Sequence, residues 1–279
     1  MTNKTKSLAL ACLLALGLIA AAGAARAAEP VLSYNLYDGT SPNFQGQSAA
    51  FSGDEYRFLC SAIGDSLTDS APLQNIFYSR LNDPGYAIYR SIPGGTQVYF
   101  HGNPGGTTGS ILPATQSHDW GAGEGANFVV IMVGTNDLDY NQGDAIEDLA
   151  AAMVSNVQAI VDSALGGITD PNQRPAIVVS GVPAYLDANL TARAKYYNEQ
   201  LRTKLDRVDI FTDGAWWDLY DSGTGTAYGW LMDDYKHPNG DGFYRIAEDW
   251  FKGVDALYNA SRIGSDSHIY RMPWYFQRS

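Results

Sequence analysis

The nonapeptide AIGDSLTDS, at residues 62–70, lies between a predicted strand and a predicted helix, and the rest of the chain is organised around it. The mostly apolar residues before it, 56–63, predict a buried strand. After it, Ser70 and Pro72 are typical of a helix start, and apolar residues then recur at helical spacing. Ser66 is therefore predicted on a tight strand-to-helix turn at the carboxyl edge of a sheet, where helix N–H groups favour a negative charge. The alternative for this serine is a plain turn or capping role.

Two further segments carry polar residues beside predicted elements. Residues 128–133 (FVVIMV) predict a second buried strand, which is followed by GTND with Asn136. Near the C-terminus, DYKHPN at residues 234–239 precedes a helical pattern. Together with the serine stretch, these segments resemble the SGNH, or GDSL, hydrolase superfamily, in which serine, glycine, asparagine and histidine blocks recur in this order. The resemblance covers nearly all of the chain after residue 28.

Residues 1–28 predict a signal peptide. Lys4 and Lys6 precede an apolar run at 8–22, and Ala-Arg-Ala at 25–27 then follows the pattern of a cleavage site. The apolar run is shorter than the ~20 residues that a membrane span needs. We therefore expect a secreted or periplasmic protein, with no stable membrane association after cleavage.

The remaining chain of about 250 residues suits one large domain. Without Lys4, Lys6 and Arg26, 15 of the 18 basic residues remain against 30 acidic ones, which gives a net charge near −15. Because such a surface repels polyanions, we expect no nucleic acid and no anionic membrane as a partner. Cys60 is then the one cysteine left, so an internal disulfide is excluded, and its place in a strand predicts a small buried hydrophobe.

Strand-like runs alternate with helical patterns along the chain, which predicts an α/β fold: a three-layer α/β/α sandwich around a central, mostly parallel sheet. The resemblance implies the flavodoxin-like version of the SGNH hydrolases. Further strands are predicted at 86–92, 96–101, 175–180 and 208–211, with a hairpin or bulge at 93–95. Further helices are predicted at 145–165, from Asn189 or Thr191 to Leu205, and at 241–257. The hydrolase domain is expected at 55–261, after an extended lead-in at 29–54 and before an aromatic tail at 262–279.

A serine hydroxyl becomes a nucleophile only when a base takes its proton. Among the four histidines, His237 has the best context, because a carboxylate on one ring nitrogen leaves the other free to accept the Ser66 proton. Asp233 and Asp234 are rivals for that carboxylate. The D-x-x-H spacing of the resembled family implies Asp234, and with it a catalytic triad of Ser66, Asp234 and His237. The alternative for the histidine is a helix-capping role.

The resemblance also implies an oxyanion hole with three donors: the Ser66 N–H, a glycine N–H and the side-chain amide of Asn136. Gly94 and Gly105 both fit the glycine block. Gly105 is preferred, because residues 107–112 would turn into a helix and aim N–H groups at the site. The alternative for Asn136 is an Asx-turn after the strand.

The resemblance thus implies a serine esterase that needs no cofactor. The stretch FHGNPG, residues 100–105, is similar to a block of secreted SGNH carbohydrate acetyl esterases. With export and with 18 tyrosines and 6 tryptophans, some of which would stack on sugars, it favours O-acetyl groups on a carbohydrate or polysaccharide as the substrate. Alternatives on the same site are a lipase, lysophospholipase or thioesterase activity and a glycan O-acetyltransferase. A catalytically silent glycan-binding domain is the alternative from another class.

An acidic stretch after the second strand has carboxylate spacing suggestive of calcium: Asp137, Asp139, Asn141 and Asp144. Its glycine falls at the seventh position instead of the sixth of an EF-hand loop, so a solvated acidic loop is the preferred interpretation and no metal site is predicted. The other histidines, His101, His118 and His268, do not have metal-ligand spacing.

Overall fold

The computed structural model describes residues 58–85, 96–169 and 174–262. Within them, a five-stranded sheet has the order β2-β1-β3-β4-β5, and every neighbouring pair is parallel. The strands are β1 (Phe58–Gly64), β2 (Thr96–Gly102), β3 (Phe128–Met132), β4 (Ala176–Ser180) and β5 (Ile210–Thr212). β3 and β4 are buried along their whole length, as strands of a parallel sheet covered on both faces are.

Helices cover both faces of the sheet. They are α1 (Ala71–Leu81), α2 (Thr108–His118), α3 (Thr135–Tyr140), α4 (Ile146–Ala164), α5 (Ala188–Lys204), α6 (Trp216–Leu219) and α7 (Gly240–Arg262). α1 packs on α7 on one face, whereas α4 packs between α2 and α5 on the other. A short antiparallel pair, β6 (Tyr220–Asp221) and β7 (Thr226–Ala227), precedes the last helix. The predicted three-layer α/β/α sandwich is therefore confirmed.

Alternate residues of each strand face opposite helical layers. Val129 and Ile131 of β3 belong to the hydrophobic cluster that includes Met153 and Val157 of α4. On the opposite face, α7 lies so close to the sheet that a Cβ at Gly253 would lie 3.3 Å from Val178 Cγ1. The period of two along the strands therefore divides the apolar side chains between two cores.

The strand order determines where a site forms. β1 lies between β2 and β3 in the sheet. The connection after β1 leads to β2 on one side, whereas the connection after β3 leads to β4 on the other side, so the two connections diverge. In open α/β sheets, ligands bind at such a switch point beyond the carboxyl ends of the strands. β1 ends at Gly64 and β3 at Met132, directly before the serine and asparagine segments.

Several element boundaries differ from the sequence predictions. α5 begins at Ala188 because Asp187 is its N-cap and accepts a hydrogen bond from the Leu190 N–H at 2.8 Å, so the predicted caps Asn189 and Thr191 are wrong. Thr191 instead faces the interior, where its hydroxyl donates to the Tyr185 carbonyl. The predicted strand at 86–92, its hairpin, the signal peptide, the lead-in and the aromatic tail after Arg262 lie outside the described residues, whereas Arg262 itself ends α7.

The prediction for Cys60 is confirmed. The thiol is fully buried in β1, and burial, with the nearby charge of Glu124, raises its pKa far above the ordinary value. A thiol with so little thiolate is a packing group. Within the described ranges, none of the helices is long and apolar enough to cross a membrane.

A buried ion pair joins β4 and β5 at the end of the sheet opposite the site. Arg174 donates through Nη1 and Nη2 to the two carboxylate oxygens of Asp209, at 2.8 and 2.7 Å. Asp209 Oδ2 also accepts the Ile177 N–H at 2.7 Å. The carboxylate therefore satisfies two buried donor groups at once.

Asp209→Ala is expected to lower the free energy of unfolding by about 3–5 kcal/mol, because it removes the carboxylate that balances the buried Arg174 charge and accepts the buried Ile177 N–H. Urea denaturation measures this loss. Glu199→Gln, which breaks the exposed pair with Arg202, is the control and should cost less than about 1 kcal/mol. Equal losses for the two variants would contradict the structural role of the buried pair.

Candidate active site

The serine turn is bound to the loop after β3 by a buried carboxylate. Asp65 Oδ1 accepts the Leu67 N–H at 3.0 Å, and Oδ2 accepts the Thr135 N–H at 3.3 Å. Burial raises the pKa of Asp65 to about 6, although these hydrogen bonds act to lower it. The ends of β1 and β3 are also in close contact. A Cβ at Gly64 would lie only 2.2 Å from the Met132 carbonyl oxygen. Only glycine is compatible with this approach.

Ser66 lies in a tight turn after β1, as predicted, but this turn is separate from α1, so the predicted position at the start of that helix is wrong. In this turn the Asp69 N–H donates to the Asp65 carbonyl at 3.2 Å, and α1 begins only at Ala71. The Ser66 hydroxyl thereby projects from the carboxyl end of β1, where its Oγ lies 3.3 Å from His237 Nε2. Residues 171 positions apart in the chain thus meet across the sheet edge.

The loop before α7 positions the imidazole. Asp234 Oδ2 accepts from His237 Nδ1 at 2.7 Å, and Oδ1 accepts the N–H groups of Lys236 and His237 at 2.8 and 2.7 Å. A carboxylate only accepts, so the proton sits on Nδ1 and the Nε2 lone pair faces Ser66. Partial burial acts to raise the pKa of Asp234, but these three hydrogen bonds hold it below its ordinary value.

The contacts of this loop distinguish Asp234 from Asp233 and a catalytic from a capping role for His237. Asp233 takes part through its backbone N–H, which donates to the His237 carbonyl at 2.9 Å. The capping role considered for His237 belongs to Asn239, whose Oδ1 accepts the N–H groups of Asp241 and Gly242 at 3.0 and 3.1 Å. Asp234 is the carboxylate that contacts the imidazole, and His237 is free of the helix terminus.

Asn136 occupies the second position of α3 and is almost fully buried. Its Nδ2 donates to the Gly106 carbonyl at 3.0 Å, and its Oδ1 accepts from Lys236 Nζ at 3.2 Å. The side chain therefore bridges the glycine loop and the histidine loop, which an Asx-turn would not do.

The glycine loop follows β2 and runs beside the serine turn, where the Asn103 N–H donates to the Gly64 carbonyl at 3.0 Å. Gly105 has a φ of 75°, the left-handed region that favours glycine. The Gly106 N–H donates to the Asn103 carbonyl, whereas the N–H groups of Gly105 and Ser66 have no partner within the described part of the chain. α2 then begins at Thr108 behind an N-cap at Thr107, which confirms the predicted helix. Gly94 lies outside the described residues.

Only the end of the acidic stretch after β3 is the solvated loop that the sequence predicted, because Asp144 is exposed whereas Asp137 and Asp139 belong to α3. Asp137 is buried, and its two oxygens accept the N–H and the hydroxyl of Thr108 at 2.8 Å each, while burial raises its pKa. Asp139 Oδ2 accepts from Lys236 Nζ at 2.9 Å and from the Tyr235 hydroxyl at 2.7 Å. The described residues contain no group of three or more acidic, histidine or cysteine side chains placed to hold a metal ion.

The sequence analysis assigned no role to two residues of the site, Asp65 and Lys236. Asp65 lies inside the serine block, and Lys236 lies between Asp234 and His237, so both were within motifs already singled out. Their partners, Thr135 and Asn136, belong to a distant segment and become neighbours only through the pairing of β1 with β3.

Comparison with known proteins identifies the family. The sequence profile of the GDSL-like lipase/acylhydrolase family matches residues 62–245, a range that holds Ser66, Gly105, Asn136, Asp234 and His237. The chain therefore belongs to this family and is an SGNH/GDSL ester hydrolase. No match was found among curated protein sequences.

Solved structures share the fold at low identity. A lipase from a goat rumen metagenome is similar with a TM-score of 0.54 and 13% identity, over 70% of this chain and 97% of its own. A variant of an acetyl-xylooligosaccharide esterase from Geobacillus is similar with a TM-score of 0.52 and 18% identity, over 73% of this chain and 95% of its own.

The buried carboxyl of Asp65 is expected to make stability depend on pH. Its pKa is about 6 in the folded state against an ordinary 3.8, so the folded state binds more protons between these values. Its contribution to stability is therefore present at low pH and lost as the pH rises through about 6. The free energy of unfolding of the wild type minus that of Asp65→Asn should fall between pH 4 and pH 7, by on the order of 3 kcal/mol.

Urea denaturation of both proteins at a series of pH values measures this difference, and the other carboxyl groups cancel in it. Asp144→Asn, at an exposed position of the same acidic stretch, is the control and should stay within about 0.5 kcal/mol of the wild type. A difference for Asp65→Asn that rises with pH would contradict the burial argument.

Proposed function

We propose that this ester hydrolase is a secreted serine esterase that removes O-acetyl groups from a carbohydrate or polysaccharide. Ser66 is the nucleophile, His237 the general base and acid, and Asp234 the group that orients the imidazole. The observation that carries the proposal is the chain of contacts from Ser66 Oγ to His237 Nε2, 3.3 Å, and from His237 Nδ1 to Asp234, 2.7 Å. Secretion rests on the leader sequence alone.

Acylation begins when Ser66 Oγ attacks the ester carbonyl carbon and its proton passes to His237 Nε2. The imidazolium that forms is stabilised by the ionised Asp234, whose lowered pKa keeps it charged. The same Nε2 then gives the proton to the departing alcohol oxygen. The acyl group remains on Ser66 as an ester.

The negative charge of the tetrahedral intermediate falls on the former carbonyl oxygen. The N–H groups of Ser66 and Gly105 are available to it, as they have no partner within the described residues. Asn136 Nδ2 has two hydrogens and uses one on the Gly106 carbonyl, so the second is available as well. Three fixed donors of this kind are the usual means of lowering the barrier to acyl transfer.

Deacylation repeats the chemistry with water as the nucleophile. His237 Nε2 takes a proton from the water, which attacks the acyl carbon, and returns it to Ser66 Oγ as the acid leaves. Every step uses groups of the chain and a water molecule, so the proposal requires no cofactor.

Exposed tyrosines beside the site support a carbohydrate substrate. The rings of Tyr140 and Tyr235 lie 5.5 and 5.8 Å from Lys236 Nζ, next to the proposed oxyanion hole. Tyr140 is 60% exposed and Tyr235 46%. Exposed rings with a polar tip suit stacking against a sugar and hydrogen bonding to its hydroxyls. The similar Geobacillus structure belongs to an acetyl-xylooligosaccharide esterase, which is consistent with this substrate class.

Ser66→Ala is expected to lower kcat/KM for p-nitrophenyl acetate by about 10⁴-fold or more, because no nucleophile remains. Ser70→Ala is the matched control, since Ser70 precedes α1 without a side-chain capping bond, and it should keep wild-type activity. Circular dichroism checks that both variants fold. A Ser66→Ala enzyme with more than a tenth of the wild-type activity would overturn the proposed nucleophile.

Tyr140→Ala is expected to raise KM for an acetylated xylo-oligosaccharide by about 10-fold, the effect of losing one stacking contact, and to leave KM for p-nitrophenyl acetate unchanged. Tyr78→Ala, which removes an exposed ring from α1, is the control.

Wild-type enzyme should also prefer p-nitrophenyl acetate to long-chain nitrophenyl esters. A strong preference for long chains would favour the lipase-type alternative.

A further inference from the structure

Lys236 connects the two halves of the site. Its Nζ donates to Asn136 Oδ1 at 3.2 Å and to Asp139 Oδ2 at 2.9 Å. Its side chain is only 12% exposed, although it belongs to the loop that carries His237. The ammonium group therefore binds the histidine loop to α3, which carries both acceptors.

The contacts of Asn136 allow only one orientation of its amide. The Lys236 ammonium has three hydrogens and no acceptor, so it must face the amide oxygen. The Gly106 carbonyl has no hydrogen, so it must face the amide nitrogen. Turning the amide over would place N–H₂ against the ammonium and oxygen against the carbonyl, so that neither hydrogen bond could form. Removal of Lys236 leaves only the Gly106 contact to hold the amide.

Asp139 in turn fixes the ammonium group. It accepts from Lys236 and from the Tyr235 hydroxyl on the same oxygen. Burial opposes the charge on both partners, but the hydrogen bonds between them lower the pKa of Asp139 and raise the pKa of Lys236. Both groups are therefore charged at neutral pH. A hydrogen bond from a charged donor also polarises the amide, which makes its N–H a stronger donor.

We propose that Lys236 is a positioning residue of the oxyanion hole, which orients and polarises the Asn136 amide so that Nδ2 donates to the tetrahedral intermediate. This inference rests on the proposed function, in which Asn136 is an oxyanion donor. The sequence places Lys236 inside the aspartate–histidine block, so one short loop supplies the base, the carboxylate that orients it and the cation that orients the oxyanion donor.

Lys236→Met should lower kcat/KM for p-nitrophenyl acetate by about 10- to 100-fold, less than the 10²- to 10³-fold that loss of an oxyanion donor costs, and should change KM by less than about threefold. Lys236→Arg, which keeps the charge and the donors, should restore most of the loss. Lys195→Met, at an exposed lysine of α5, is the matched control and should retain wild-type kinetics.

A double-mutant cycle with Asn136→Ala tests whether Lys236 acts through Asn136. Asn136→Ala alone should lower kcat/KM by about 10²- to 10³-fold. Adding Lys236→Met to that variant should then lower it by less than about twofold further, because the group that Lys236 positions is gone. Losses that multiply in the double variant, or a Lys236→Met enzyme as active as the wild type, would overturn the inference.

The cycle also separates this inference from the proposed function. An Asn136→Ala enzyme with wild-type activity would overturn the oxyanion role itself. If Lys236→Met fails to fold because it leaves the Asp139 carboxylate, whose side chain is only 10% exposed, without its cation, Asp139→Asn combined with Lys236→Met removes that charge and carries the same test. The paired variant should lose activity as predicted for Lys236→Met, and wild-type activity in it would overturn the inference.

Discussion

The carboxylate of Asp65 holds together the two connections from which the site is built. It accepts one N–H from the serine turn, which follows β1, and one from the first residue of α3, which follows β3. The paired ends of β1 and β3 bring Ser66 and Asn136 near each other, but both connections leave the sheet at the switch point, so the strands alone do not hold the two connections together. The buried carboxylate of Asp65 holds them together by accepting both N–H groups, and its burial raises its pKa. Burying a charge of this kind is typical of functional sites.

The remaining parts of the site are fixed by groups that can only donate or only accept. Asp234 accepts three N–H groups and thereby sets the tautomer of His237. Lys236 and the Gly106 carbonyl set the orientation of Asn136 in the same manner. Asp137 fixes α3 against the start of α2 through two bonds to Thr108. Such one-sided contacts arrange dipoles before the substrate arrives, which is the electrostatic preorganisation that acyl transfer requires.

The sequence predicted the layers of the fold and the three central blocks because both depend on local patterns. Apolar runs of five or six residues between helical patterns are sufficient to indicate a parallel sheet, and the D-x-x-H spacing of the resembled family implies Asp234. The sequence could not predict the roles of Asp137, Asp139 and Lys236, because their partners lie in other segments of the chain. Asp137 and Asp139 look like an exposed acidic stretch until the fold places Thr108 beside one and Lys236 beside the other. The cap of α5 was misjudged for a simpler reason, since Asp187, Asn189 and Thr191 are all good capping residues.

Diethyl p-nitrophenyl phosphate phosphorylates a serine that a base and an oxyanion hole activate, so covalent labelling with this reagent tests whether Ser66 is the activated nucleophile. Mass spectrometry of the digested protein locates the adduct, and residual esterase activity is measured on the same sample. We expect one diethylphosphoryl group per chain, on Ser66, and a loss of activity in proportion to labelling. Inactivation with the adduct on another residue, or full activity after Ser66 is labelled, would contradict it.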